Sequence, residues 1–164
     1  MKRKFALIAL AVLAVGGCKE KPVLNVTDVF VRLPAVPRGP AAAYFTVHGG
    51  PVADRLTEVT SENAIRAEIH ESINSSSMNS GSTDGDGHGS DTHGSAKISS
   101  MKPIESGVEI PAKSIVKFEP GGKHVMFFDV NPALQPPRAM PITFIFAGGD
   151  RIVVNATLKR AGEQ

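Results

Sequence analysis

The chain has 164 residues, enough for one ordinary domain. Its formal charge of +2 rests on Lys2, Arg3 and Lys4 at the start. Without the first 17 residues, 15 basic side chains stand against 16 acidic ones, which gives no electrostatic case for binding nucleic acid.

The opening stretch MKRKFALIALAVLAVGGC reads as a basic start, an apolar run from Phe5 to Val15, and small residues before Cys18. Eleven apolar residues are too few for a bilayer core that needs about 20, and they fit the hydrophobic region of a secretory signal peptide. Gly16-Gly17-Cys18 resembles a bacterial lipobox, so residues 1–17 are expected to be removed and Cys18 lipidated. Cys18 is the single cysteine, so no disulfide can brace the mature chain. Residues 18–23 then form a tether, and 24–164 a β domain held to the membrane by its lipid alone. Lys19 is not an Asp retention signal; in a Gram-negative cell this favours the outer membrane, with the domain facing the periplasm.

Further along, NVTDVFVRL, AAAYFTVHG, DRLTEVTSE, AIRAEIHES, GVEIPA, SIVKFEP, KHVMFFDV, PITFIFAGG and RIVVNATLK are short β-prone runs separated by turn residues. Eight or nine strands at this spacing predict an all-β sandwich or barrel. Glu119-Pro120-Gly121-Gly122 has Pro and Gly where a type II turn wants them, and is expected to join SIVKF and KHVMFF as an antiparallel hairpin. Gly148-Gly149-Asp150 is expected to do the same for the last two strands. NPALQPPRAMP, with four prolines, reads as a connecting loop, and Met140 within it as no ligand. His48 reads as structural or surface. Asn74 to Ser100 is nearly free of apolar side chains and predicts a long mobile polar loop.

Four side chains invite a chemical reading: His70, Met101, His124 and Met126. On a strand, residues two apart share a face, so His124 and Met126 stand side by side. Taken alone, that pair is either core filler or half of a metal site. Imidazole and thioether together suit Cu(I) better than Zn(II) or Mg(II). A blue-copper centre needs a cysteine thiolate, and the lone cysteine sits in the lipobox. Nothing marks a nucleophile elbow or a phosphate-binding glycine loop, so the chain is not expected to be an enzyme.

AAAYFTV, DRLTEVTS, EIHES, MKPI, VEIPA and FEPGGKHVMFFDV together resemble the periplasmic copper chaperone family written PCu(A)C. The resemblance spans roughly Val26 to Leu158. It implies a cupredoxin-like Greek-key β-sandwich that binds Cu(I) through His70, Met101, His124 and Met126. It also implies delivery to the binuclear copper centre of cytochrome c oxidase, alone or alongside a Sco-like protein. Glu71 after His70 follows the family pattern. The spacing departs from it: 30 residues separate His70 from Met101, an excess of 20, and 22 separate Met101 from His124, an excess of one. The larger excess coincides with the polar segment, which is either a flexible insertion with incidental histidines or, through Met78, His88 and His93, an auxiliary site suited to Cu(II). The competing expectation is a metal-free envelope lipoprotein module that binds protein partners.

Overall fold

Apolar side chains recur at alternate positions in most of the described strands, and that period builds them. The computed structural model describes residues 22–74 and 99–163. Among them run β1 (Asn25–Arg32), β2 (Ala41–His48), β3 (Asp54–Thr60), β4 (Arg66–Asn74), β5 (Ser99–Pro103), β6 (Val108–Ile110), β7 (Ile115–Phe118), β8 (Lys123–Phe128), β9 (Ala139–Phe146) and β10 (Arg151–Lys159). Among the described residues no helix is long and apolar enough to cross a membrane. Cys18, Met78, His88 and His93 lie outside the described residues, as do the leader and most of the polar segment.

The strands form one sheet in the order β5-β4-β8-β2-β1-β10-β9-β3-β6, with β7 also on β2. All pairs are antiparallel except β1 with β10. Phe45 of β2 and Phe144 of β9 are separated in that order by β1 and β10, yet their rings meet edge-on at 4.7 Å. Phe45 also stacks on Phe118 at 4.1 Å. The sheet therefore curls over itself and encloses one core, drawn from Val31, Val47, Leu56, Ile110, Val125, Phe127, Ile142 and Phe144 among others. Closing the sheet in this way buries an apolar face that a flat sheet would leave in water.

The all-β class holds, with ten strands among the described residues instead of eight or nine. The additional strand is β5. Residues 99 and 100, expected in the polar loop, pair with β4 through Asn74↔Ser99 and Ile73↔Ser100. The loop expectation failed at both ends because Ser and Asn carry no apolar signal, while a backbone ladder needs none. Residues 75–98 thus connect two strand ends that already lie opposite each other. Removing 20 residues from that stretch would leave four, an ordinary hairpin loop. The long His70–Met101 spacing is therefore compatible with an unshifted β4–β5 register.

Two further expectations need correction. Glu119 to Gly122 does form the type II turn: Gly121 has φ +84° and the Gly122 N–H donates to the Glu119 carbonyl at 3.0 Å. It does not close a β7–β8 hairpin, however. Both strands pair with β2, β7 along Phe45–His48 and β8 along Ala41–Ala43. They run in the same direction along β2, and the turn is an excursion between them. Met140 lies in β9, not in a loop, and its side chain is fully buried in the core. Pro141 is tolerated beside it because this end of β9 pairs with β10 alone, whereas pairing to β3 begins at Thr143. The turn at Gly148 and Gly149 closes the β9–β10 hairpin as expected, with Gly149 at φ +97°.

Deleting residues 77–96 is expected to preserve the fold. Shortening the connection from 24 residues to four should stabilise it by about 1.5 kcal/mol, from loop-closure entropy alone. Urea unfolding followed by far-UV circular dichroism checks this. A lost or broadened transition would mean that these residues help to hold the domain together.

Candidate metal centre

Alternation along β8 sends Val125 and Phe127 into the core, both fully buried. His124, Met126 and Phe128 therefore stand on the outer face of the sheet. On β4, Ile69 packs into the core, which leaves Arg66, Glu68, His70 and Ser72 on that same outer face. The antiparallel register sets His70 opposite His124, Glu68 opposite Met126 and Arg66 opposite Phe128. The two imidazole centroids are 6.0 Å apart. On β5, Met101 is opposite Ser72 and Pro103 opposite His70. Met101 thus shares the outer face and lies diagonal to His70, at the ~7–8 Å spacing usual for such neighbours. All four residues singled out in the sequence occupy one face of three adjacent strands.

Exposure is graded across this face. His124 is 4% exposed, the His70 side chain 14%, and Met101, on the edge strand, 58%. Met126 is half-buried. Tyr44 of β2 flanks His124 on the inland side, with ring centroids 6.2 Å apart.

Each imidazole is held by one nitrogen. His124 Nδ1 donates to the Gly122 carbonyl at 3.0 Å, and the same carbonyl accepts the Ser72 N–H at 3.1 Å. The type II turn thereby locks β8 to β4 and fixes the His124 ring in one arrangement. His70 Nε2 lies 3.0 Å from Glu68 Oε2. Arg66 Nη1 pairs with the other Glu68 oxygen, and its guanidinium sits 4.0 Å above the Phe128 ring. Carbonyl and ionised carboxylate oxygens accept and do not donate. In the neutral rings the protons therefore lie on His124 Nδ1 and His70 Nε2, leaving lone pairs on His124 Nε2 and His70 Nδ1. The His70 Nδ1 atom is buried and has no hydrogen-bond partner. A buried polar atom without a partner is uncommon, and this one lies on the face shared by the thioethers.

Among the described residues, no three His, Cys, Asp or Glu side chains gather as a metal site. The donors available beside the two imidazoles are the thioethers of Met101 and Met126, a soft set. Glu71 faces the other side of the sheet and pairs with Lys123 at 2.7 Å. At the far end of β2, the Thr27 hydroxyl donates to Asp28 at 3.0 Å and accepts from His48 Nε2 at 2.9 Å, so His48 is structural. Sequence reasoning missed Glu68, Arg66 and Phe128. The signal was present: Arg66, Glu68 and His70 are spaced two apart, which on a strand puts them on one face.

The family model named LpqE-like, described as a lipoprotein family, matches residues 84–158, somewhat under half of the chain. No curated protein matches by sequence. Among solved structures, the apo PCuAC domain of PmoF1 aligns with TM-score 0.60 at 21% identity, covering 86% of this chain and 97% of that one. The copper-bound PCuAC domain of PmoF2 gives 0.57 at 17% identity, over 84% and 92%. The solution structure of Cu(I)-DR1885 from Deinococcus radiodurans gives 0.55 at 21%, over 92% and 85%. The chain therefore has the cupredoxin-like β-sandwich fold of these proteins.

Gly121 tests how the turn supports the site. Its φ of +84° disfavours any side chain, while a Cβ there would meet nothing within 4 Å. Gly121→Ala is expected to cost about 1–2 kcal/mol in urea unfolding, from backbone strain without any clash. The His124 imidazole resonances should shift with it. An unchanged midpoint would show that the turn relaxes freely and does not fix His124.

Proposed function

We propose that the chain is a Cu(I)-binding metallochaperone whose centre consists of His70, Met101, His124 and Met126. The observation that carries this reading is the convergence of two imidazoles and two thioethers on one sheet face, with one buried imidazole nitrogen left without a partner. Neutral thioether and imidazole donors suit a soft monovalent ion and need no deprotonation to bind it. Copper here is cargo, and no catalytic turnover is involved.

The exposure gradient gives the hand-over an order. Met101, on the edge strand and most open to solvent, is the ligand that an incoming acceptor group displaces first. His124, pinned under the turn and nearly inaccessible, lets go last. Ligand exchange then passes through a copper ion shared between donor and acceptor, without release of free ion.

The acceptor we favour is the binuclear copper centre of cytochrome c oxidase, reached directly or through a Sco-like protein, as the sequence resemblance implies. Cys18, by its lipobox, anchors the domain to the cell envelope facing the periplasm. The match to a lipoprotein family supports that placement.

Anaerobic titration with Cu(I) against a competing chelator tests the assignment. One tightly held ion is expected, and Met101→Ala, Met126→Ala or His124→Ala should each weaken it at least about tenfold, or 1.4 kcal/mol. Weak uptake unaltered in all three variants would leave the metal-free interaction module as the better description. The variant lacking residues 77–96 should keep its Cu(I) and lose Cu(II) uptake, since Met78, His88 and His93 are our proposed auxiliary donors.

A further inference from the structure

Glu68 lies outside the expected ligand set, yet it is the protein group hydrogen-bonded to His70. Three neighbours on the outer face determine where its carboxylate sits. Arg66 takes one oxygen, Arg66 is itself laid against the Phe128 ring, and the second oxygen meets His70 Nε2 at 3.0 Å. The register places Glu68 directly opposite Met126. Its side chain is 33% exposed, and the contact geometry is set from both sides.

An imidazole presents one lone pair, and a hydrogen bond at one nitrogen decides which. A carboxylate accepting the Nε2 proton leaves Nδ1 as the donor to a metal and holds the ring plane against rotation. His124 has the opposite arrangement, with Nδ1 tied to a carbonyl and Nε2 free. The two imidazoles at this centre are thus set to offer different nitrogens.

We propose that Glu68 is the positioning residue of the copper centre: through its hydrogen bond to Nε2 it makes Nδ1 the ligating atom of His70, while His124 ligates through Nε2. The assignment rests on the copper reading above.

The test uses the full chain with 15N-labelled histidine at a single fixed pH. Long-range 1H–15N spectra of the metal-free protein should show His70 as the Nε2–H tautomer and His124 as the Nδ1–H tautomer. Added Cu(I) should move the 15N signals of His70 Nδ1 and His124 Nε2. Glu68→Ala should mix the His70 tautomers and weaken Cu(I) binding about 10–100-fold, the range usual for lost outer-shell partners. Glu68→Gln keeps an oxygen that accepts the Nε2 proton, and should restore a single tautomer and most of the affinity. A copper-induced shift at His70 Nε2 would overturn the proposal. So would unchanged affinity and tautomer in Glu68→Ala, or a Glu68→Gln variant as weak as Glu68→Ala. A protein whose copper uptake survives His70→Ala would refute the copper centre itself; that failure is distinguishable, because the tautomers of the metal-free protein are read without copper.

Discussion

The antiparallel register between β4 and β8 is the constraint on which the site depends. It sets His70 against His124, and with the strand period of two it decides which side chains face outward. A slip of one residue would send every side chain of one strand to the other face, turning His124, Met126 and Phe128 toward the core and Val125 and Phe127 away from it. Two fully buried residues, Val125 and Phe127, would then leave the core, each with a burial contribution of about 1.5–3 kcal/mol. The hydrophobic core therefore specifies the arrangement of the polar centre, although no core side chain belongs to it.

The Pro-Gly-Gly turn adds what periodicity cannot. Because β7 and β8 continue one another along β2, the residues between them are surplus to the ladder and can be turned outward. That excursion brings the Gly122 carbonyl back over β4 and beside His124. One backbone oxygen thus fastens the neighbouring strand and orients an imidazole. An uninterrupted strand would spend that carbonyl on the ladder with β2, leaving the His124 ring to choose its own partner.

Much of this was legible in the residues. Alternation located nine strands and the shared face of His124 and Met126, and turn chemistry located Gly121 and Gly149. What failed was pairing. A type II turn between two β-prone runs has the local chemistry of many hairpins, and local sequence does not say that both runs prefer β2. Strand β5 was missed for a related reason: Ser99 and Ser100 carry no apolar pattern, and their strand conformation comes from hydrogen bonds to β4. Met140 read as loop because the nearby prolines outweighed it, whereas its methionine side chain fills the core. Glu68 escaped notice because carboxylates on an exposed strand face are common, and only a three-dimensional neighbour distinguishes one from the next.

The position of Met101 connects these points to the proposed hand-over. Had the fourth donor come from β2, it would lie among Tyr44 and its neighbours, inland on the sheet and sealed on both sides. Instead it comes from β5, a terminal strand of the sheet, where one flank of the donor set opens to solvent. The polar stretch at 75–98 joins the far ends of β4 and β5, beyond the Asn74↔Ser99 pair, so its length does not alter the diagonal between His70 and Met101. A thiolate on that edge would bind Cu(I) more strongly, but in an oxidising compartment it is open to disulfide exchange and oxidation. A thioether cannot form a disulfide. In the proposed centre, the buried imidazole on one side would retain the ion while the exposed thioether on the other yields it, as transfer by ligand exchange requires.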